Sequence, residues 1–128
     1  MEPKGPLRVL VVDDNEAVRM ILTDMLLDLG HQVVGEAEDA EAALVAYGKL
    51  RPDLVTLDLS LSAVGGADGL SVLRALRKSD PTARVIVISG NYQKKIVEQV
   101  EKDGGAAVVP KPIKQEALIE AISWATRL

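Results

Sequence analysis

The sequence predicts an α/β fold: a five-stranded parallel sheet with helices on both faces, in a doubly wound (βα)5 arrangement. Apolar runs of strand length alternate with segments of helical periodicity five times along the chain. The runs are nearly unbroken in apolar character, as strands covered on both faces must be. Four of them end in residues able to do chemistry: Asp13 and Asp14, Asp58, Ser89, and Lys111.

The first strand is Leu7 to Val12, apolar apart from Arg8. From Asn15 onward, Val18, Ile21, Leu22, Met25, Leu26 and Leu29 recur at three- and four-residue intervals, which predicts an amphipathic helix that Gly30 terminates. Gln32 to Ala37 is a second, weaker strand. Asp39 then caps a helix whose Ala40, Ala43, Leu44, Tyr47 and Leu50 share a face, and Pro52 stops it. Asp53 to Leu57 is the third strand and leads into Asp58; the loop beyond it, up to Gly69, is too rich in Gly and Ser to be regular.

A short helix over Leu70 to Lys78 uses Leu70, Leu73 and Leu76 and closes at Asp80-Pro81. Arg84 to Ile88 is a β-branched fourth strand. Asn91 to Asp103 predicts a helix with Ile96, Val97 and Val100 inward, ended by Gly104 and Gly105. Ala106 to Val109 is the last strand. After Pro112, the stretch Ile113 to Arg127 carries Leu118, Ala121, Ile122 and Ala125 at helical spacing. Tyr47 is expected to pack on its helix face and His31 to sit in a turn, while Arg84 and Lys114 read as solvated charges. Each parallel return needs a right-handed helical crossover, so every segment is used and a single domain over residues 1–128 is expected, with a fraying N-terminus.

A chain of 128 residues with 48% hydrophobic content is long enough to close a core. Without cysteine, and with His31 as its one imidazole, it offers neither thiolate nor histidine-cluster metal sites. Any metal must be held by oxygen, which favours Mg2+, or Mn2+, over zinc or copper. A net charge of −4, a pI near 5.0 and the lack of a basic stripe argue against nucleic acid as a partner. The opening apolar run is too short for a secretory signal and no segment is suited to cross a bilayer, so a cytoplasmic location with no membrane partner is expected.

The strand-end residues gain meaning together. In the flavodoxin-like strand order 2-1-3-4-5, strands one and three lie side by side at the switch point, where open α/β sheets bind ligands. Asp13, Asp14 and Asp58 then converge, and crowded carboxylates resist ionising unless a cation or a catalytic role offsets their repulsion. An octahedral divalent ion takes one or two carboxylates, a backbone carbonyl and waters, leaving room for phosphate. N-capping of the first helix is the plain alternative for one acid of the Asp13-Asp14 pair, but it would not account for Asp58 and Lys111 at matching strand ends.

These residues resemble the receiver domain of two-component response regulators, the CheY-like family, over nearly the whole chain. The likeness rests on Val11-Val12-Asp13-Asp14-Asn15, on Pro52-Asp53-Leu54-Val55 leading to Asp58-Leu59, on Asp68-Gly69, on Val87-Ile88-Ser89-Gly90, and on Lys111-Pro112. The resemblance implies that Asp58 accepts a phosphoryl group from the phosphohistidine of a histidine kinase or a phosphotransfer protein. It further implies that Asp14 binds magnesium directly, Asp13 largely through water and Ser60 through its backbone carbonyl, with Asp58 also at the metal. Lys111 would pair with a phosphoryl oxygen and Ser89 would donate its hydroxyl to one, switching contacts with a downstream protein target. The Lys111-Pro112 bond is expected to be cis, as is common in the family.

The chain also departs from the family pattern. The usual Met-Pro pair after the phosphoacceptor is replaced by Leu61-Ser62, and Ala63-Val64-Gly65-Gly66-Ala67 lengthens the loop before Asp68-Gly69 by about three residues. Val108 stands where the family often has a switching Tyr or Phe; Tyr92 is a poor substitute. Pro110 removes a backbone donor and marks the fifth strand as an edge. Trp124 lies off the apolar stripe of the last helix, at a partly exposed or an edge-buried position.

Two other functions are weighed against the phosphoacceptor reading. A haloacid-dehalogenase-like phosphatase would carry a second acid two residues after its nucleophile, whereas Asn15 follows Asp13 and Ser60 follows Asp58 at that distance. A degenerate receiver serving only as a binding module would not need the full set of Asp13, Asp14, Asp58, Ser89 and Lys111.

Overall fold

The computed structural model describes residues 5–61 and 68–127. Five strands, β1 (Arg8–Val12), β2 (Gln32–Ala37), β3 (Leu54–Asp58), β4 (Val85–Ser89) and β5 (Ala107–Pro110), alternate with five helices, α1 (Glu16–Asp28), α2 (Ala40–Leu50), α3 (Gly69–Ser79), α4 (Lys94–Lys102) and α5 (Gln115–Ala125). All strand pairs are parallel and the order is β2-β1-β3-β4-β5. This is the order expected from the sequence.

Alternation along the central strands divides the core into two layers. Leu10, Val12, Val55, Leu57, Val85 and Val87 pack against Ala43 and Tyr47 of α2, Val72, Leu73 and Leu76 of α3, and Val100 of α4. Val9, Val11, Leu54, Ile86 and Ile88 face Leu22 and Leu26 of α1 and Leu118, Ala121, Ile122 and Ala125 of α5. A strand buried on both sides has no polar face to offer, which is why β3 and β4 are buried at every position. Each fully buried Leu or Ile contributes about 1.5–3 kcal/mol relative to exposure.

The helix ends follow from local chemistry. Asn15 Oδ1, Asp39 Oδ1 and Asp68 Oδ1 accept the backbone N–H groups of Val18, Ala42 and Ser71, satisfying donors that the first turn leaves free. Gly30, at φ 89°, ends α1 as expected. Arg51 ends α2 in the left-handed region at φ 47°, just before Pro52.

Several expectations are corrected. Ile21 is 51% exposed and Leu44 39%, so both leave the stripes assigned to them; the apolar pattern on α1 and α2 is wider than the face each helix buries. The fourth helix starts at Lys94 rather than Asn91, because Ser89 and Asn91 close a hydrogen-bonded turn first. The last helix is shorter than Ile113 to Arg127, spanning Gln115–Ala125. Pro110 joins β5, which is an edge strand, as its missing backbone donor leads one to expect. Trp124 is 58% exposed, with the Arg127 guanidinium 4.8 Å from its ring centroid. Tyr92 is exposed, in keeping with its being a poor substitute for the switching aromatic. The extension Ala63 to Ala67, with Ser62, lies outside the described residues.

Candidate functional site

The C-terminal ends of β1, β3, β4 and β5 lie along one edge of the sheet, and their register brings together residues remote in sequence. Val12 pairs with Leu57, which sets Asp13 and Asp14 beside Asp58. Asp58 pairs with Ile88, and Ser89 with Pro110, which brings Ser89 and Lys111 to the same rim. The Lys111 backbone N–H donates to the Ser89 carbonyl at 2.9 Å, and the Lys111-Pro112 bond is cis.

Asp13 and Asp58 are buried, at 1% and 2% exposure, whereas Asp14 is exposed. One carboxylate oxygen from each of the three lies within 4.8 Å of the others. Lys111 Nζ reaches into the group, 3.3 Å from Asp58 Oδ1 and 3.7 Å from Asp13 Oδ2. Burial raises the Asp13 carboxyl above the usual value of 3.8; the Asn15 N–H opposes this, Asp58 adds to it, Lys111 offsets part, and Asp14 raises it further.

Asp13 Oδ1 accepts the Asn15 N–H at 2.8 Å, but Asp13 Oδ2 is buried and accepts no hydrogen bond among the described residues. A buried oxygen without a donor is costly, and beside two further carboxylates it makes a donor set suited to a hard divalent cation. Lys111 alone does not balance three acids.

Asp58 Oδ1 also accepts the Ser60 backbone N–H at 3.1 Å and the Ser60 hydroxyl at 3.0 Å. That hydroxyl contact was not foreseen from the sequence, though a serine two residues after an acid is a ready local donor. Ser89 Oγ donates to the Asn91 carbonyl at 2.7 Å and accepts the Asn91 N–H at 3.0 Å, so its proton is engaged within its own loop. Arg19 was also missed. Its Nη1 donates to the Asp13 carbonyl at 2.6 Å, and its Nε to Glu36 Oε1 at 2.9 Å.

The response regulator receiver domain family matches residues 9–123. The chain belongs to that family. This receiver domain is 34% identical over 116 residues to the chemotaxis protein CheY of Thermotoga maritima, a match covering 91% of the chain and 94% of the relative. The CheY of Bacillus subtilis is likewise 34% identical over 116 residues, with 91% and 94% covered. Among solved structures, the CheX–CheY–BeF3–Mg complex of Borrelia burgdorferi aligns at a TM-score of 0.85 and 28% identity, over 92% of this chain and 87% of that one. The receiver domain of NtrX from Brucella abortus aligns at 0.82 and 34% identity, over 91% and 96%. Receiver domains are signalling modules of two-component systems rather than enzymes in the ordinary sense. No helix among the described residues is long and apolar enough to cross a membrane.

Proposed function

We propose that this receiver is a competent phosphoacceptor, in which Asp58 takes a phosphoryl group from the phosphohistidine of a histidine kinase or phosphotransfer protein. The observation that carries the reading is the placement of the buried Asp58 carboxylate, with Lys111 Nζ at 3.3 Å and the Asp13 and Asp14 oxygens within 4.8 Å. An Asp58 oxygen attacks phosphorus, the new P–O bond forms as the P–N bond breaks, and the imidazole leaves. Water later attacks the same phosphorus, returning the carboxylate and inorganic phosphate.

Asp13, Asp14, Asp58 and the Ser60 carbonyl are the residues that would hold Mg2+, or Mn2+ in its place. When bound, such an ion supplies positive charge against the transferring phosphoryl oxygens. Lys111 stands ready to pair with one of those oxygens as its contact with Asp58 Oδ1 is exchanged. Ser89 can turn its donor from the Asn91 carbonyl to the phosphoryl group, which draws the end of β4 inward. A differential contact worth about 1.4 kcal/mol changes a two-state ratio about tenfold, enough to bias binding of a downstream protein.

The mode of output follows the same logic: this domain switches protein contacts in the cytoplasm and does not itself bind nucleic acid or membrane. The Borrelia relative was solved with CheX, BeF3 and Mg, which supports partner binding by a metal-loaded, phosphate-like state. Incubation with acetyl phosphate and Mg2+, followed by intact-mass measurement, tests the acceptor. Wild type should gain the mass of one phosphate and Asp58→Asn should not; equal labelling of both would overturn the assignment.

A further inference from the structure

Among the described residues Arg19 makes no side-chain hydrogen bond or ion pair with the strand-end residues, yet it grips the turn that carries two of them. Its side chain is 13% exposed and bridges two elements: Nη1 donates to the Asp13 carbonyl, and Nε is anchored by Glu36 on β2. The Asp13 N–H is fixed from β2 as well, donating to the Ala37 carbonyl at 3.0 Å. The Asp13 backbone is therefore held at its nitrogen and its oxygen by the same edge strand, once directly and once through Arg19. The carbonyl that Arg19 holds belongs to the peptide joining Asp13 to Asp14, so the plane of that peptide sets the direction of the Asp14 side chain. Asp14 is exposed, and no side-chain hydrogen bond orients its carboxylate among the described residues.

We infer that Arg19 is a positioning residue for divalent-cation binding: clamped to Glu36, it orients the Asp13-Asp14 peptide so that the Asp14 carboxylate faces Asp13 and Asp58. The inference rests on the metal-dependent reading given above. Its sign separates it from simple electrostatics. A cation near a metal site repels the metal, so charge alone predicts that neutralising Arg19 tightens binding. Positioning predicts the reverse, because groups that orient metal ligands typically support affinity by tenfold or more.

The test measures Mn2+ affinity by calorimetry and the Mg2+ dependence of acetyl phosphate labelling, for wild type, Arg19→Gln, Arg19→Lys and Glu36→Ala. Arg19→Lys keeps the charge and loses the two-point grip, which isolates geometry. Arg19→Gln should weaken Mn2+ about tenfold and Arg19→Lys several-fold, with Glu36→Ala between Arg19→Lys and wild type. In each variant the labelling rate at saturating Mg2+ should return close to wild type, a split that a loss of folded protein would not produce. Unchanged affinity in Arg19→Lys, or tighter binding in Arg19→Gln, would overturn the inference. Wild type that binds no Mn2+ and takes no label would instead remove the reading beneath it.

Discussion

Lys111 Nζ lies 3.3 Å from Asp58 Oδ1, joining residues 53 positions apart across the rim of the sheet. The same ammonium is 3.7 Å from Asp13 Oδ2, so it holds with one charge the place a divalent cation would hold with two. Lys111→Met should therefore tighten Mn2+ binding several-fold by removing a competing cation, while slowing acetyl phosphate labelling about tenfold or more through loss of charge at the phosphoryl group. Calorimetry and time-resolved intact mass measure the two effects separately. A variant weakened in both would mean that Lys111 builds the pocket rather than charging it.

Gly69 opens α3 close against the backbone at the end of β3. A Cβ there would stand 2.5 Å from the Leu59 carbonyl oxygen and 2.7 Å from that of Asp58, and backbone cannot yield as a flexible side chain would. Gly69→Ala should destabilise the fold by about 1–3 kcal/mol and slow labelling of Asp58, read by urea denaturation and intact mass. A neutral result in both would show that the β3–α3 connection relaxes freely.

Thr56 sits on β3 between Val11 and Ile86, fully buried, with an Oγ1 that has no hydrogen-bond partner among the described residues. Replacing an unsatisfied hydroxyl by a methyl of similar shape removes a desolvation cost. Thr56→Val should raise stability by about 1 kcal/mol, seen as a higher urea midpoint at unchanged slope. A lower midpoint would reveal a partner for that hydroxyl.

His31 Nδ1 accepts the Leu7 N–H at 3.0 Å, tying the start of β1 to the turn after α1. Burial lowers its pKa below the ordinary 6.5, so the unfolded chain binds the proton more readily than the folded one. The stabilisation is then present above about 6.5 and lost as pH falls from 6.5 through the folded pKa. Thermal melts at pH 7.5 and 5.5 should show a drop in wild type that is smaller in His31→Asn. An equal drop in both would assign the acid sensitivity to other groups.

Much of the molecule was legible because parallel sheets write themselves into sequence. Strands buried on both faces must be apolar throughout, as Val9 to Val12 and Val85 to Ile88 are, and the residues that interrupt them fall at one edge. Asp13, Asp14, Asp58, Ser89 and Lys111 could be named as a group for that reason. Helix extents were less legible at their ends. The spacing of Ile96, Val97 and Val100 is periodic from Asn91, but the Ser89–Asn91 turn takes those backbone groups before α4 can begin.

The amino-acid order alone determined the alternation of strand and helix, the residues at strand ends and the oxygen-only character of the site, because each depends on local periodicity or composition. Only the tertiary structure decided that Lys111 meets Asp58 and Asp13, that Asp13 Oδ2 is left without a donor, that Arg19 grips the Asp13 carbonyl, and that Ile21 and Leu44 face outward. Those are distances between segments far apart in the chain. They are set by register and packing, which no local pattern specifies.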